Sequence, residues 1–124
     1  MNWRTYFEET TGDGFLATAS GSGEVNIAIY FRPEVLDDGT LVFGMSEGRT
    51  LRNVRENPQA VFAFDEGGYK GVRVYLERGD ERSDGVLLDR LRRRADAEVK
   101  PGAGKSIAHA VAFRVKRFEP LTTV

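Results

Sequence analysis

The stretch that decides the fold is LVFGMSEGRTLRNVRENPQAVFAF, residues 41–64. It contains two short apolar runs, Leu41–Met45 and Ala60–Phe64, separated by a polar segment. Short runs rich in β-branched and aromatic residues between turn residues are typical of strands. In the polar segment Leu51 and Val54 are three residues apart, as on one face of a helix. Asn57-Pro58 ends that helix, since proline cannot continue the hydrogen-bond ladder. The stretch therefore predicts a strand, a helix over 50–56, and a strand.

The rest of the chain repeats the strand pattern. Four further alternating runs, with Gly, Asp or Ser clusters at several of their ends, predict strands: Phe15–Ser20, Val25–Phe31, Val72–Glu77 and Val111–Lys116. Tight turns between several of the runs favour antiparallel pairing. Two more helices are expected, one over Trp3–Glu9 and one over Asp84–Ala97 with Ser83 or Asp84 as N-cap. The pattern predicts a mainly β domain with a few helices and six antiparallel strands, closed or split as a small barrel.

The run Val25–Phe31 has two different faces. Val25, Ile27, Ile29 and Phe31 alternate with Asn26, Ala28 and Tyr30. Because successive side chains of a strand point to opposite sides, the aliphatic set predicts a core face. The other set suits either solvent or a flat ligand.

Composition limits the class of protein. A chain of 124 residues has room for one domain, residues 1–124. It has no cysteine and one histidine, which excludes disulfides, thiolate zinc sites and multi-histidine metal sites. The net charge of −1 lacks the basic excess of a dedicated nucleic-acid binder. No apolar run reaches membrane-spanning length and the N-terminus does not resemble a signal peptide, so we expect a cytoplasmic protein without membrane contacts.

The segment Ser46–Asn53 joins a predicted strand end to a predicted helix start. Free N–H groups and the positive end of the helix dipole favour anions there. Gly48 allows a ligand close to the backbone, Arg49 can bind an anion with two donors, and Thr50 adds a hydroxyl. These features predict a phosphate site, although a capped surface helix with an incidental arginine would show the same local pattern.

The same residues resemble a known family. Asn26 in the second run, Leu41-Val42-Phe43-Gly44, and Glu47–Pro58 followed by Ala60-Val61-Phe62 are similar to the FMN-binding split barrel of the pyridoxamine 5′-phosphate oxidase-like superfamily. The likeness extends from about Phe15 to Val74 and is closest to the short, single-domain members.

The resemblance implies a homodimer that holds two FMN molecules at its interface. By matched position, Arg49 and Thr50 would hold the phosphate. The residues along the flavin and ribityl chain would be Asn26, Ala28, Tyr30, Gly44 and Ser46, with Asn53 as a further candidate. The electron donor or acceptor would be a small molecule or a redox protein. True pyridoxamine 5′-phosphate oxidases are longer and carry further basic and histidine residues near the C-terminus, so vitamin synthesis is not expected.

Several alternatives remain open at this level. Relatives of the fold bind a deazaflavin or haem, and a non-catalytic stress or sensory module is a third possibility. His109 alternates with Ile107 and Val111, which predicts a packed or interface residue and leaves flavin contact or haem ligation as alternatives. The arginines of residues 90–94 predict a solvated helix face, Asp37-Asp38-Gly39 predicts a turn, and Gly102–Ser106 predicts a loop.

Overall fold

The computed structural model describes residues 1–122. The chain forms three α-helices, α1 to α3, which are Trp3–Glu9, Arg49–Glu56 and Val86–Arg94. A π-helical turn, Ala95–Val99, follows α3, and a 3₁₀ turn covers Ala103–Ser106. The seven strands, β1 to β7, are Asp13–Ala19, Val25–Ile29, Glu34–Val35, Leu41–Met45, Gln59–Gly67, Lys70–Arg82 and His109–Pro120.

The strands form one antiparallel sheet in the order β2-β1-β5-β6-β7-β4-β3. The prediction of a mainly β, antiparallel fold is confirmed, but the count of six strands is wrong. The additional strand is the two-residue β3, which pairs with β4 through Glu34 opposite Val42. Alternation of apolar and polar residues could not predict this strand, because two residues are too few to show it. The sheet is not closed, since its two end strands, β2 and β3, do not pair with each other.

Arginines of α3 hold β3 in place. The Glu34 carboxylate accepts hydrogen bonds from Arg90, at 3.0 Å, and from Arg94. Arg94 also forms an ion pair with Glu98 at 3.6 Å. The arginine-rich helix face therefore ties α3 to the sheet edge as well as facing solvent.

The main core lies on the face of the sheet that α1 and α2 cover. Ala60, Phe62 and Phe64 alternate inward along β5, and Phe43 and Phe113 meet them from β4 and β7. The Phe43 ring lies 5.0 Å from the Phe62 ring and 5.7 Å from the Phe113 ring, within the range of favourable aromatic pairs. Trp3, the only tryptophan, packs into this core against Phe7.

One predicted core face is not core within the protomer. Val25, Ile27 and Ile29 are 80%, 65% and 80% exposed, and Phe31 is 41% exposed. Strand β2 is an edge strand, and the aliphatic side chains on this face remain largely exposed in the described protomer. Alternation divided the two faces correctly, but it could not show which face another layer covers.

The helix predictions hold with shifted ends. Helix α1 coincides with its prediction, and α2 begins one residue earlier than expected. Helix α3 starts at Val86 after Gly85, which has a φ of 100°, so neither Ser83 nor Asp84 is its N-cap. Leu88, Leu91 and Ala95 form the expected buried stripe. No helix among residues 1–122 is long and apolar enough to cross a membrane.

Phe62→Ala tests the position of the core. Phe62 is fully buried at the centre of the aromatic cluster, so its removal should lower the free energy of unfolding by about 3–5 kcal/mol. Urea denaturation measures the change, with Phe118→Ala as the control because Phe118 is 47% exposed. Equal losses in the two variants would show that the core does not centre on Phe62.

Candidate functional site

A cavity of about 630 Å³ lies beside the edge strand β2, the end of β4 and the start of α2. Its volume is within the range of small-molecule and cofactor pockets. Six of the eight residues proposed from sequence line it: Ala28, Tyr30, Gly44, Ser46, Arg49 and Thr50. The strand–helix junction and the polar face of β2, which are separate in sequence, therefore meet around one space.

The start of α2 faces this cavity with its polar groups unused. Gly48 is the N-cap residue and supplies no side-chain hydrogen bond to the first turn. The first N–H groups of a helix have no partner within the helix, and the helix dipole makes this end positive. Arg49 is exposed and has no hydrogen bond or ion pair within residues 1–122. The junction can therefore receive an anion without breaking an existing contact.

Thr50 and Tyr30 form the inner wall beside the helix start. The Thr50 side chain is buried, at 8% exposure, and lies beside the Tyr30 hydroxyl. Burial raises the pKa of Tyr30 above its usual value, and the nearby Thr50 hydroxyl lowers it by a smaller amount. A neutral phenol and an alcohol here offer donors and acceptors without adding negative charge.

Gly44 keeps the cavity open on the β4 side. A Cβ atom at this position would come within 2.9 Å of the Ile107 side chain. Ile107 itself lines the cavity. A larger residue at 44 would therefore push Ile107 aside or reduce the space available to a ligand.

Asn26 and Asn53 do not line the cavity. Asn53 is 5% exposed, and its Nδ2 donates to Thr18 Oγ1 at 3.1 Å. It is three residues beyond Thr50 on α2, where the helix faces β1, so its amide is used inside the protomer. Asn26 is opposite Thr18 in the β1–β2 ladder.

The far wall of the cavity was not predicted from sequence. It comes from the turn before β1, from Phe31 and Arg32, and from the segment after α3, in particular Ala95, Val99, Ala103, Ser106 and Ile107. The composition of residues 102–106 predicts a loop, but it does not indicate which strands this loop contacts. Long-range folding alone brings this segment to the end of β4.

His109 lies outside the cavity lining. Its side chain is 12% exposed, as expected for a packed residue, but its neighbours are carboxylates. The Nε2 atom is 2.5 Å from Glu47 Oε1, and the Nδ1 atom is 3.3 Å from Glu81 Oε2.

No protein-family model matches the chain, and no curated protein matches it. Solved structures do match. An FMN-binding protein from Syntrophomonas wolfei subsp. wolfei superposes with a TM-score of 0.81 at 23% identity, covering 98% of this chain and 84% of the other. The chain has the same fold as this protein, the split barrel that the resemblance in the sequence implies.

Proteins with other functions have the same fold. An F420 reductase gives a TM-score of 0.71 at 21% identity, covering 96% of this chain and 97% of the other. HutZ, the haem storage protein from Vibrio cholerae, gives a TM-score of 0.65 at 16% identity, covering 94% and 91%. The family resemblance found in the sequence is thus confirmed for the fold. At these identities the split barrel alone does not select the ligand.

Tyr30→Phe tests the burial of the cavity wall. A raised folded-state pKa stabilises the fold fully below the unfolded value of about 10, and this stabilisation is lost as pH rises above it. The stability of the variant should fall less than that of the wild type between pH 10 and 11.5, because the variant has no phenol at position 30 to ionise. Chemical denaturation at several pH values measures the difference.

Tyr69→Phe is the matched control, because Tyr69 is 85% exposed. The pKa of Tyr6 is also raised, by burial and by its bond to Glu66. Its contribution to the pH dependence of stability is the same in the wild type and in both variants. If Tyr30→Phe and wild type lose stability at the same rate above pH 10, Tyr30 is not buried as described.

Proposed function

We propose that this protein binds FMN at the interface of a homodimer and acts in electron transfer, as a flavin-dependent oxidoreductase or an electron carrier. The observation that carries the proposal is the cavity that ends at an uncapped helix start with the unpaired Arg49. The same cavity continues along strand β2, where a planar ring can lie against small and half-buried side chains.

The residues present fit the phosphate of FMN. The helix N–H groups, the Arg49 guanidinium and the Thr50 hydroxyl are all donors at one place. Charge-assisted hydrogen bonds to phosphate are the strongest of these contacts. The FMN-binding protein from Syntrophomonas wolfei subsp. wolfei, which shares the fold, supports this choice of ligand.

The other cavity residues fit the rest of the coenzyme. Gly44 and Ser46 would adjoin the ribityl chain, while Ala28 and Tyr30 would lie along the ring. Bound FMN supplies the redox chemistry. The chain's own residues bind and orient the coenzyme and limit access of solvent to it. No acid or base in the cavity needs to transfer a proton for this role.

The edge strand supports a second copy of the chain as the missing wall. The exposed aliphatic face of β2 carries Val25, Ile27 and Ile29, while Ile29 and Phe31 also line the cavity. Contiguous exposed apolar side chains mark interaction surfaces, and closed two-fold pairs are the commonest oligomers. A partner seated on β2 would bury this face and cover the cavity in the same step.

The direct test is to denature the purified protein and identify the released chromophore by mass. FMN is expected, together with a flavin absorption spectrum before denaturation. Bleaching by reduced nicotinamide would support an oxidoreductase; a stable spectrum with that donor and with a reduced redox protein would favour a storage or sensory module. A colourless protein that fails to bind added FMN would overturn the proposal.

Arg49→Ala tests the phosphate contact. Removing a charged partner of a phosphate typically costs ~1.5–3 kcal/mol, so the Kd for FMN should rise about tenfold or more. Flavin fluorescence titration measures it. Arg93→Ala is the control, because Arg93 is also exposed with no partner in the described chain but lies outside the cavity. Unchanged FMN affinity in Arg49→Ala would remove Arg49 from the site.

Ile27→Lys tests the dimer. Ile27 is exposed on β2 and does not line the cavity, so a charge there should separate the protomers without altering the phosphate contacts. Light scattering after size exclusion should change from a dimer to a monomer mass. Val86→Lys, on the exposed part of α3, should remain a dimer. A dimeric Ile27→Lys protein would place the interface elsewhere.

One observation favours a deazaflavin as the second candidate. Arg52 is exposed, has no partner within residues 1–122, and follows Arg49 by three residues on α2, so the two share a helix face. A deazaflavin with a longer anionic tail would use both, and an F420 reductase is among the similar structures. Arg52→Ala should leave FMN affinity nearly unchanged, whereas it should weaken a deazaflavin with such a tail.

A further inference from the structure

His109 connects the sheet to the segment that precedes α2. It begins β7, opposite Met45 of β4, and its ring lies between two carboxylates. Nε2 is at hydrogen-bond distance from Glu47, at 2.5 Å. Nδ1 is buried and has no hydrogen bond of acceptable geometry, although a Glu81 oxygen is 3.3 Å away. Only the doubly protonated ring can direct an N–H group toward both carboxylates.

The two carboxylates differ in how they are otherwise neutralised. Arg55 of α2 donates two hydrogen bonds to Glu81, at 3.0 and 2.6 Å, and Arg78 of β6 adds positive charge nearby. The bonds from Arg55 are the first cause of the lowered pKa of Glu81. Glu47, in contrast, is 70% exposed; among residues 1–122 its side chain is hydrogen-bonded only to His109, and Arg55 acts on it through charge alone.

Glu47 stands immediately before the N-cap residue of α2. Gly48 has no side chain that could hold the junction in place. As the N-cap residue, it therefore gives the first turn of α2 no side-chain hydrogen bond. The bond from His109 to Glu47 is therefore the side-chain contact that ties this junction to the sheet. Building on the proposed function, we propose that His109 is a positioning residue for the phosphate site: through Glu47 it holds the Ser46–Gly48 segment so that the first N–H groups of α2 face the coenzyme.

The test is a double-mutant cycle on FMN affinity. His109→Ala should raise the Kd by about two- to tenfold, the range for loss of one hydrogen bond. His109→Gln keeps a side-chain N–H donor, so it should restore an affinity near that of the wild type. In a Glu47→Gln background, His109→Ala should add no more than about twofold, because the two residues act as one unit.

Two controls separate positioning from simple loss of structure. Kd ratios are taken at one pH, so ionisation of the FMN phosphate cancels. Riboflavin, which has no phosphate, should bind all variants equally. An equal loss of riboflavin and FMN affinity, or multiplicative effects of the Glu47 and His109 substitutions, would overturn the inference.

The same double-mutant cycle can be measured with inorganic phosphate in place of FMN. Inorganic phosphate should shift the NMR amide signals of Gly48, Arg49 and Thr50, and His109→Ala should weaken this response. If phosphate gives the expected cycle while FMN does not bind, the proposed coenzyme is wrong and the positioning role stands. If phosphate gives no response either, the positioning role is wrong as well.

Discussion

The other features of the site depend on one constraint. The positive charge at the start of α2 has no hydrogen-bond or ion-pair partner within residues 1–122. Elsewhere in the described chain, the arginines near the cavity are engaged: Arg32 donates to Glu98 at 3.0 Å, and Arg94 binds Glu34. Within the part of the chain that the structure describes, Arg49 has neither an acid nor a carbonyl as a partner. An exposed arginine alone would mean little, but here it adjoins an uncapped helix end and a cavity of coenzyme size.

The fold supplies this arrangement by ending β4 where α2 begins. Met45 of β4 is buried in the core, and Leu51 and Val54 of α2 pack into the same core, so the junction between them is anchored on both sides. Burial of these side chains fixes the helix start at the rim of the sheet. The bond from His109 to Glu47 then restricts the few residues that the core does not hold. Rigid supports on both sides of a short polar segment are what a preorganised binding site requires.

In the proposed function, the edge strand β2 would contribute to both cofactor binding and dimer assembly. One face of β2 carries Ala28 and the other carries Ile27. The five residues of this strand, Val25–Ile29, can therefore contact both a ligand and a partner subunit. A monomer would leave the cavity open along that strand. Dimer formation and coenzyme retention should therefore be linked, each favouring the other by mass action.

The sequence predicted the local features well and the long-range ones poorly. Alternation and the Asn57-Pro58 stop predicted α2 and its flanking strands, and the residue chemistry of Ser46–Thr50 led to the hypothesis of an anion site there. Asn53 shows the limit: its spacing on the helix matched the family pattern, but its amide binds Thr18 inside the protomer. The exposure of Ile27 and the approach of Ile107 to Gly44 depend on which elements meet across the chain, and no local pattern contains that information.

A crystal structure of the protein with FMN tests the central claim most directly. The phosphate is predicted to lie within hydrogen-bond distance of the Arg49 guanidinium, the Thr50 hydroxyl and the first N–H groups of α2, with a second copy of the chain against β2. A coenzyme whose phosphate is bound elsewhere, with only solvent at the start of α2, would contradict it.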